Sequence, residues 1–406
     1  MAVHRIPTRC NTCAKFILLR IVIAGGDQPF LFPCPHCQTE QHGWFYAQPD
    51  EAYQFRSDDL RLEDDEGCDG LAVMVATDMP VHSSFFGTQL PDHFRSPFFH
   101  NLAAVGQGEA VEQLMSRIEK LRELRRSWYA PLRRVARHYS RQDENGMRQA
   151  LASVPGGKDI DWASRDPSQT FELAMAEMYE PLEDRQKRHE ASVELLKLAG
   201  IAKTNHENEL KALIDEYDRR ILAEHRTRVA DVVFAVFKES DALYPALWVE
   251  AMREKVGFDE YRVMRDDFIK LKALYQELFE LSSRSLAFTA PIANLAKRGD
   301  VHNFADGKTR ALHKARKEKA FNREGWLSDF PAAKALYGPI SRHTRNDFGH
   351  ALVRYDCRSG KLIFDDGREQ NYLLFLIDNL AAVRLSHYLL DVTYIIDQVR
   401  HSVART

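Results

Sequence analysis

The sequence has no run near the roughly eighteen apolar residues that a membrane-spanning helix requires. It also lacks a secretory leader pattern, because Arg20 interrupts the apolar stretch from Phe16 to Ile23 and no small-residue cleavage site follows. The expectations are therefore no membrane partner and a cytoplasmic location. Excess charge is scarce: 56 Lys+Arg against 59 Asp+Glu leave a formal −3, which argues against a generic nucleic-acid coat. Cysteine is scarce too, at six in 406 residues, so a disulfide-built scaffold is not the expectation. What is present is 44% hydrophobic and 28% charged residues, the composition of a globular chain long enough for two or three domains.

Four of the six cysteines stand as Cys10-x-x-Cys13 and Cys34-x-x-Cys37. Two such pairs, twenty residues apart, have the spacing of a zinc site. Residues 1–48 read as a zinc ribbon, with strands from Phe16–Ile23 and Phe30–Phe32 around the turn Gly25-Gly26-Asp27. Four thiolates fill a tetrahedron and leave no position for water, so the expected cofactor is one structural zinc ion and no catalytic metal. His36 and His42 then lie outside the ligand set. Lys15, Arg20 and Trp44 are the ribbon's candidates for contact with RNA or with a protein partner. Cys68 and Cys357 are expected as free thiols.

Residues 49–106 read as a connecting segment with short strands, Leu71–Val75 among them, an acidic run at Glu63–Glu66, and scattered prolines. Residues 107–257 read as a helical spacer. Its first part interleaves Arg122, Arg125, Arg126, Arg133 and Arg137 with Trp128 and Tyr129, over an apolar stripe of Leu114, Ile118, Leu121 and Leu124. Glu183 and Lys187 are spaced as an i,i+4 pair on a helix.

The most informative stretch is Ser341 to His350, which holds Arg345, Asn346 and His350 at the expected end of a helix that starts near Trp326 and stops at Gly349. A hairpin is expected next, Leu352–Asp356 and Lys361–Phe364 flanking the tip Arg358-Ser359-Gly360, and then a long apolar helix near Asn371–Val399. On an ideal helix Asn346 and His350 share a face, whereas Arg345 and His350 diverge by about 140°. Either the Gly349 break turns the histidine, or two copies form a composite site. A neutral His can take a proton from a ribose 2′-hydroxyl, and Arg can hold the crowded phosphorane through forked hydrogen bonds.

Arg345-Asn346-x-x-x-His350 resembles the R-N-x-x-x-H signature of HEPN-domain proteins. The resemblance covers about Tyr261–Thr406. It implies an all-α bundle that dimerises and acts as a metal-independent endoribonuclease, in the manner of toxin and antiphage effectors, with Arg345 and His350 as the catalytic pair and Asn346 as positioner. Charge distribution agrees: residues 261–406 carry 24 Lys+Arg against 17 Asp+Glu, and the rest 32 against 42. Within that module Lys308, Arg310, Lys314, Arg316 and Lys317 are the candidate RNA-guiding cations. The expected fold is mainly α: the ribbon, the helical region, and a HEPN-like domain over 258–406 with the hairpin as an insertion. An inactive RNA- or nucleotide-binding module, or a zinc-ribbon scaffold for partner proteins, remains the alternative.

Overall fold

The structure, a computed structural model, describes residues 3–22, 26–47, 53–64, 71–88, 96–106, 108–155, 166–217, 219–252, 257–315, 325–338, 340, 348 and 353–404. The chain divides into two compact units. The first comprises residues 1–116, 239–273 and 347–379; the second comprises 117–238, 274–346 and 380–406.

The first unit is built on two hairpins. Strands β1 (Val3–Cys10) and β2 (Phe16–Val22) pair antiparallel, as do β3 (Gly26–Pro33) and β4 (Glu40–Ala47). Buried and part-exposed residues alternate along β2, as a period of two requires for a strand with one covered face. The two sheets meet through aromatic rings. His4 of β1 lies 5.7 Å from Phe45 and 4.5 Å from Tyr53 of the other sheet, within which Phe30 stacks on Phe55 at 5.6 Å.

Short strands from the expected connector complete both sheets. β5 (Tyr53–Arg56) pairs with β4. β6 (Leu60–Leu62) pairs with β1, and β7 (Leu71–Val75) lies parallel to β2. β8 (Val81–His82) stands outside the larger sheet, which with β9 (Phe86–Thr88) takes the order β6-β1-β2-β7-β9. The apolar run of β7 is buried at Ala72–Val75, which is what a parallel strand covered on both faces looks like.

Further along, β10 (Tyr261–Arg262) pairs with β8. The expected hairpin forms as β11 (Val353–Asp356) and β12 (Lys361–Phe364), and β13 (Glu369–Asn371) adds a third strand. The mainly-α expectation is thus overturned. Among the described residues thirteen strands form four sheets, one of them mixed and five-stranded. The unexpected strands β5, β6, β8, β9 and β10 are only two to four residues long, too short for a periodic signal, and hydrogen bonding to strands already in place, as of β5 to β4 and β6 to β1, is what makes them strands.

The second unit is helical. It includes Tyr129–Ser140, Glu144–Leu151, Pro167–Tyr179, Arg185–Asn205, Glu207–Glu216, Arg219–Lys238, most of Phe268–Arg298, and the closing helix Tyr372–Ala404 from Leu380 onward. Asp143, Asp166 and Asp184 cap three of these helices by accepting from the amides of Gly146, Ser168 and Lys187. The expected helix from Trp326 is interrupted at Pro331, which with Pro339 is a candidate break in the sequence. A 3-10 turn, Gly325–Asp329, precedes Pro331–Tyr337, with Pro331 at the helix start, where its missing N–H is tolerated. Tyr372–Val403 is long and apolar enough to cross a membrane, but 72% of its most apolar window is buried inside the protein.

Gly43 lets β4 approach its neighbours. A Cβ at this position would lie 2.2 Å from Phe30 Cζ and 2.6 Å from the Arg56 carbonyl oxygen. Gly43→Ala should therefore destabilise the protein by about 1–3 kcal/mol, read as a lower urea midpoint. An unshifted midpoint would contradict the β3-β4-β5 packing.

Candidate metal centre and the predicted active-site residues

Two turns of the same construction bring the cysteines together. In each, the residue after the second cysteine is left-handed, Ala14 at φ 56° and Gln38 at φ 62°. Its amide donates 2.9 Å to the carbonyl of the first cysteine, Ala14 to Cys10 and Gln38 to Cys34. A second bond closes each loop: Cys10 N donates to Lys15 O, and Cys34 N to Thr39 O. Residues other than glycine hold such a φ only where surrounding bonds dictate it.

The Cys10 and Cys37 sulfurs are 3.8 Å apart, as are those of Cys13 and Cys34, and all four lie within 4.8 Å of one another. An ion with four sulfur ligands at about 2.3 Å has tetrahedral edges of about 3.8 Å, so this cluster is sized for a metal ion. Burial pushes the Cys34 thiol up to about 12. Burial acts upward on Cys37 too, but hydrogen bonds with the Thr39 hydroxyl and backbone outweigh it and bring that thiol down to about 6. A bound dication would favour the thiolate at all four. His36 is not a ligand; its Nε2 lies 3.0 Å from the Phe16 carbonyl oxygen.

Arg345, Asn346 and His350 lie outside the described residues, as do Arg316, Lys317 and Cys68. Phe348, inside the motif, is described and is 2% exposed. Its ring packs 4.7 Å from Phe375 and 6.3 Å from both Phe268 and Phe364. Of the candidate cations, Lys308 and Lys314 are exposed. Arg310 is differently placed. It pairs with Asp306, lies over Phe304 and Trp326 at 5.4 and 5.9 Å, and leaves 9% of its side chain exposed.

The second unit holds a buried polar network that the sequence reading did not find. Glu183 precedes the cap Asp184 and so lies outside the helix on which it was expected to pair with Lys187. Lys187 pairs with Asp184 at 2.8 Å instead. Glu183 meets Arg188 and the fully buried His387, whose Nδ1 is 2.5 Å from Glu183 Oε1. Arg188 also grips both oxygens of Asp391, at 2.9 and 2.8 Å, and Ser192 donates to the same carboxylate. Tyr179 stacks on His387 at 4.4 Å. Nearby, Arg226, 1% exposed, pairs with Asp397 at one wall of a cavity of about 690 Å³ that Arg148, Arg400 and His401 also line. The signal available in sequence was His387 and Asp391, four residues apart and so on one face, with Asp397 farther along the same largely apolar helix.

Two predictions follow from these sites. Cys34→Ser should abolish binding of one divalent ion per chain and lower the thermal midpoint, because the ion's binding energy is part of the fold; full ion content in the variant would exclude this cluster. The second concerns Glu172, which burial and then the charge of Asp391 push up to about 8, against the opposing pull of Arg188. Its folded value is above its unfolded one, so its stabilising contribution is complete below about 4.5 and is lost as pH rises through about 8. Glu172→Gln should match wild type in melting near pH 4.5 and gain progressively towards pH 8; parallel profiles would refute the burial of this carboxyl.

No family model, curated protein or solved structure matches this chain.

Proposed function

We propose that the chain is an endoribonuclease of the HEPN type whose N-terminal cysteine cluster holds a structural zinc ion. The observation that carries the reading is the anchoring of Phe348, three residues after Arg345 and two before His350. Its ring is fixed among Phe268 at the start of one long helix, Phe375 in the first turn of the closing helix, and Phe364 of the hairpin. The described residue of the motif is thus tied to the core of its unit, which supports reading the segment as part of a folded site.

In this scheme neutral His350 removes the proton from a ribose 2′-hydroxyl, and the oxygen attacks the adjacent phosphorus. The same His350, now charged, protonates the departing 5′-oxygen. Arg345, from the same or a partner subunit, neutralises the charge that develops on the phosphorane, and Asn346 holds His350 or a phosphate oxygen. The products end in 2′,3′-cyclic phosphate and 5′-hydroxyl. For the cluster, an all-thiolate set of four at tetrahedral spacing favours zinc and leaves no open position for catalysis.

The test is cleavage of total and transfer RNA by purified protein without added divalent metal, beside His350→Ala and Arg345→Ala. His350→Ala should lose about 10²–10⁴ in rate, and wild-type products should carry cyclic-phosphate ends. An unchanged rate for His350→Ala would sink the assignment. Elemental analysis of the same preparation should give one zinc per chain.

A further inference from the structure

The exposed face of the β3-β4-β5 sheet presents a set of side chains that neither the metal centre nor the motif uses. Along β4 the residues alternate: Gln41, Gly43 and Phe45 are buried, while His42, Trp44 and Tyr46 point the other way. Trp44 is 39% exposed, large for the biggest aromatic side chain on a sheet. The Trp44 and Tyr46 rings are nearly parallel, 16° apart, with centroids 6.1 Å from each other. Register puts Arg56 of β5 opposite Trp44 and Gln54 opposite Tyr46, and both are exposed.

Cations flank the two rings. The Arg56 guanidinium lies 5.9 Å from the Tyr46 ring centre, and Lys270 Nζ lies 6.0 Å from that of Trp44. Lys270 is held in place by Asp267 at 3.0 Å. Arg56 pairs with no carboxylate among the described residues. These cation–π contacts are at the outer limit of their range and exposed to water, so they orient the cations without saturating them.

We infer that this face binds single-stranded RNA, with Trp44 and Tyr46 stacking on two successive bases, Arg56 and Lys270 meeting the phosphates, and Gln54 contacting a base edge. Three physical points support that occupant. Aromatic platforms on a sheet accept any unpaired base through its π-face, and adjacent cations hold the backbone. The 6.1 Å between platforms exceeds the roughly 3.4 Å per nucleotide of a duplex strand, so the surface suits bases splayed apart. A protein partner would instead need the apolar centre of an interface, and here Arg56, Lys270 and Gln54 lie beside the rings, with His42 farther along β4 paired to Asp266 at 3.3 Å. The choice of RNA over DNA rests on the endoribonuclease reading; the binding itself does not require cleavage.

The test measures anisotropy of a labelled unstructured ten-nucleotide RNA against the full chain carrying His350→Ala, so that binding is read apart from cleavage. Trp44→Ala should weaken binding by about 5- to 150-fold, the worth of one stacked base, and Trp44→Phe should keep most of the affinity. Arg56→Ala should lower the slope of log K against log salt by about 0.7, one phosphate contact on a single strand. Unchanged binding in Trp44→Ala, or equal affinity for a duplex of the same length, would overturn the assignment. So would concentration-dependent dimerisation that Trp44→Ala abolishes, which would assign the face to a second copy of the chain. Binding lost in Trp44→Ala while His350→Ala still cleaves would support this site and reject the active-site assignment, so the two proposals fail separately.

Discussion

Burial of charge on the closing helix is the constraint to which the helical unit is fitted. From Leu380 onward this helix is enclosed on nearly every side, yet it carries Arg384, His387, Asp391 and Asp397. A charge removed from water without a partner is very costly, and removing one partner from a buried pair costs about 3–5 kcal/mol. Each group is accordingly met: Arg384 by the Leu182 carbonyl, His387 by Glu183, Asp391 by Arg188 and Ser192, and Asp397 by Arg226. Arg384, His387 and Asp391 follow one another at helical spacing and Asp397 lies six residues beyond, so together they fix where the segment 182–192 and the helix Arg219–Lys238 meet the closing helix, and in what register. Apolar packing alone would tolerate sliding; fork-to-carboxylate geometry does not.

In the N-terminal sheets a four-cysteine cluster sized for a metal ion sits beside a thin aromatic core. The two cysteine turns sit at corresponding ends of β1 and β3, and each is closed by the same pair of backbone bonds. Between the sheets lie His4, Phe30, Phe45, Tyr53 and Phe55. A core this small gains from a cross-link that ties residue 10 to residue 37, as structural zinc sites do in other small folds. With the inner face committed to packing and the turns to the cysteine cluster, the outer face of β4 is left to carry Trp44 and Tyr46 towards solvent.

Some of this was legible in advance for a local reason. The cysteine spacing encodes a turn of fixed construction, the tip Arg358-Ser359-Gly360 encodes a hairpin, and Gly360 adopts the left-handed φ of 71° found there. The apolar stripe Leu114, Ile118, Leu121 and Leu124 is buried as its helical spacing implied. β7 was legible as the apolar run Leu71–Val75, but β5, β6, β8 and β9 were not, because a three-residue strand such as Leu60–Leu62 has no period of its own and exists through its ladder to β1. Arg310 reads as one cation in a basic run, and only its neighbours Asp306, Phe304 and Trp326 make it a structural residue.

The sequence by itself determined what depends on spacing within a few residues: the two cysteine turns, the hairpin, and the amphipathic helices. Tertiary structure decided what depends on residues far apart in the chain. It joined Cys10 to Cys37 and Glu183 to His387, and it turned a connector into the strands that complete two sheets. The physical reason is range. Backbone conformation and capping are settled by neighbours along the chain, whereas burial, and with it the partner each charge must find, is settled by whatever the fold brings alongside.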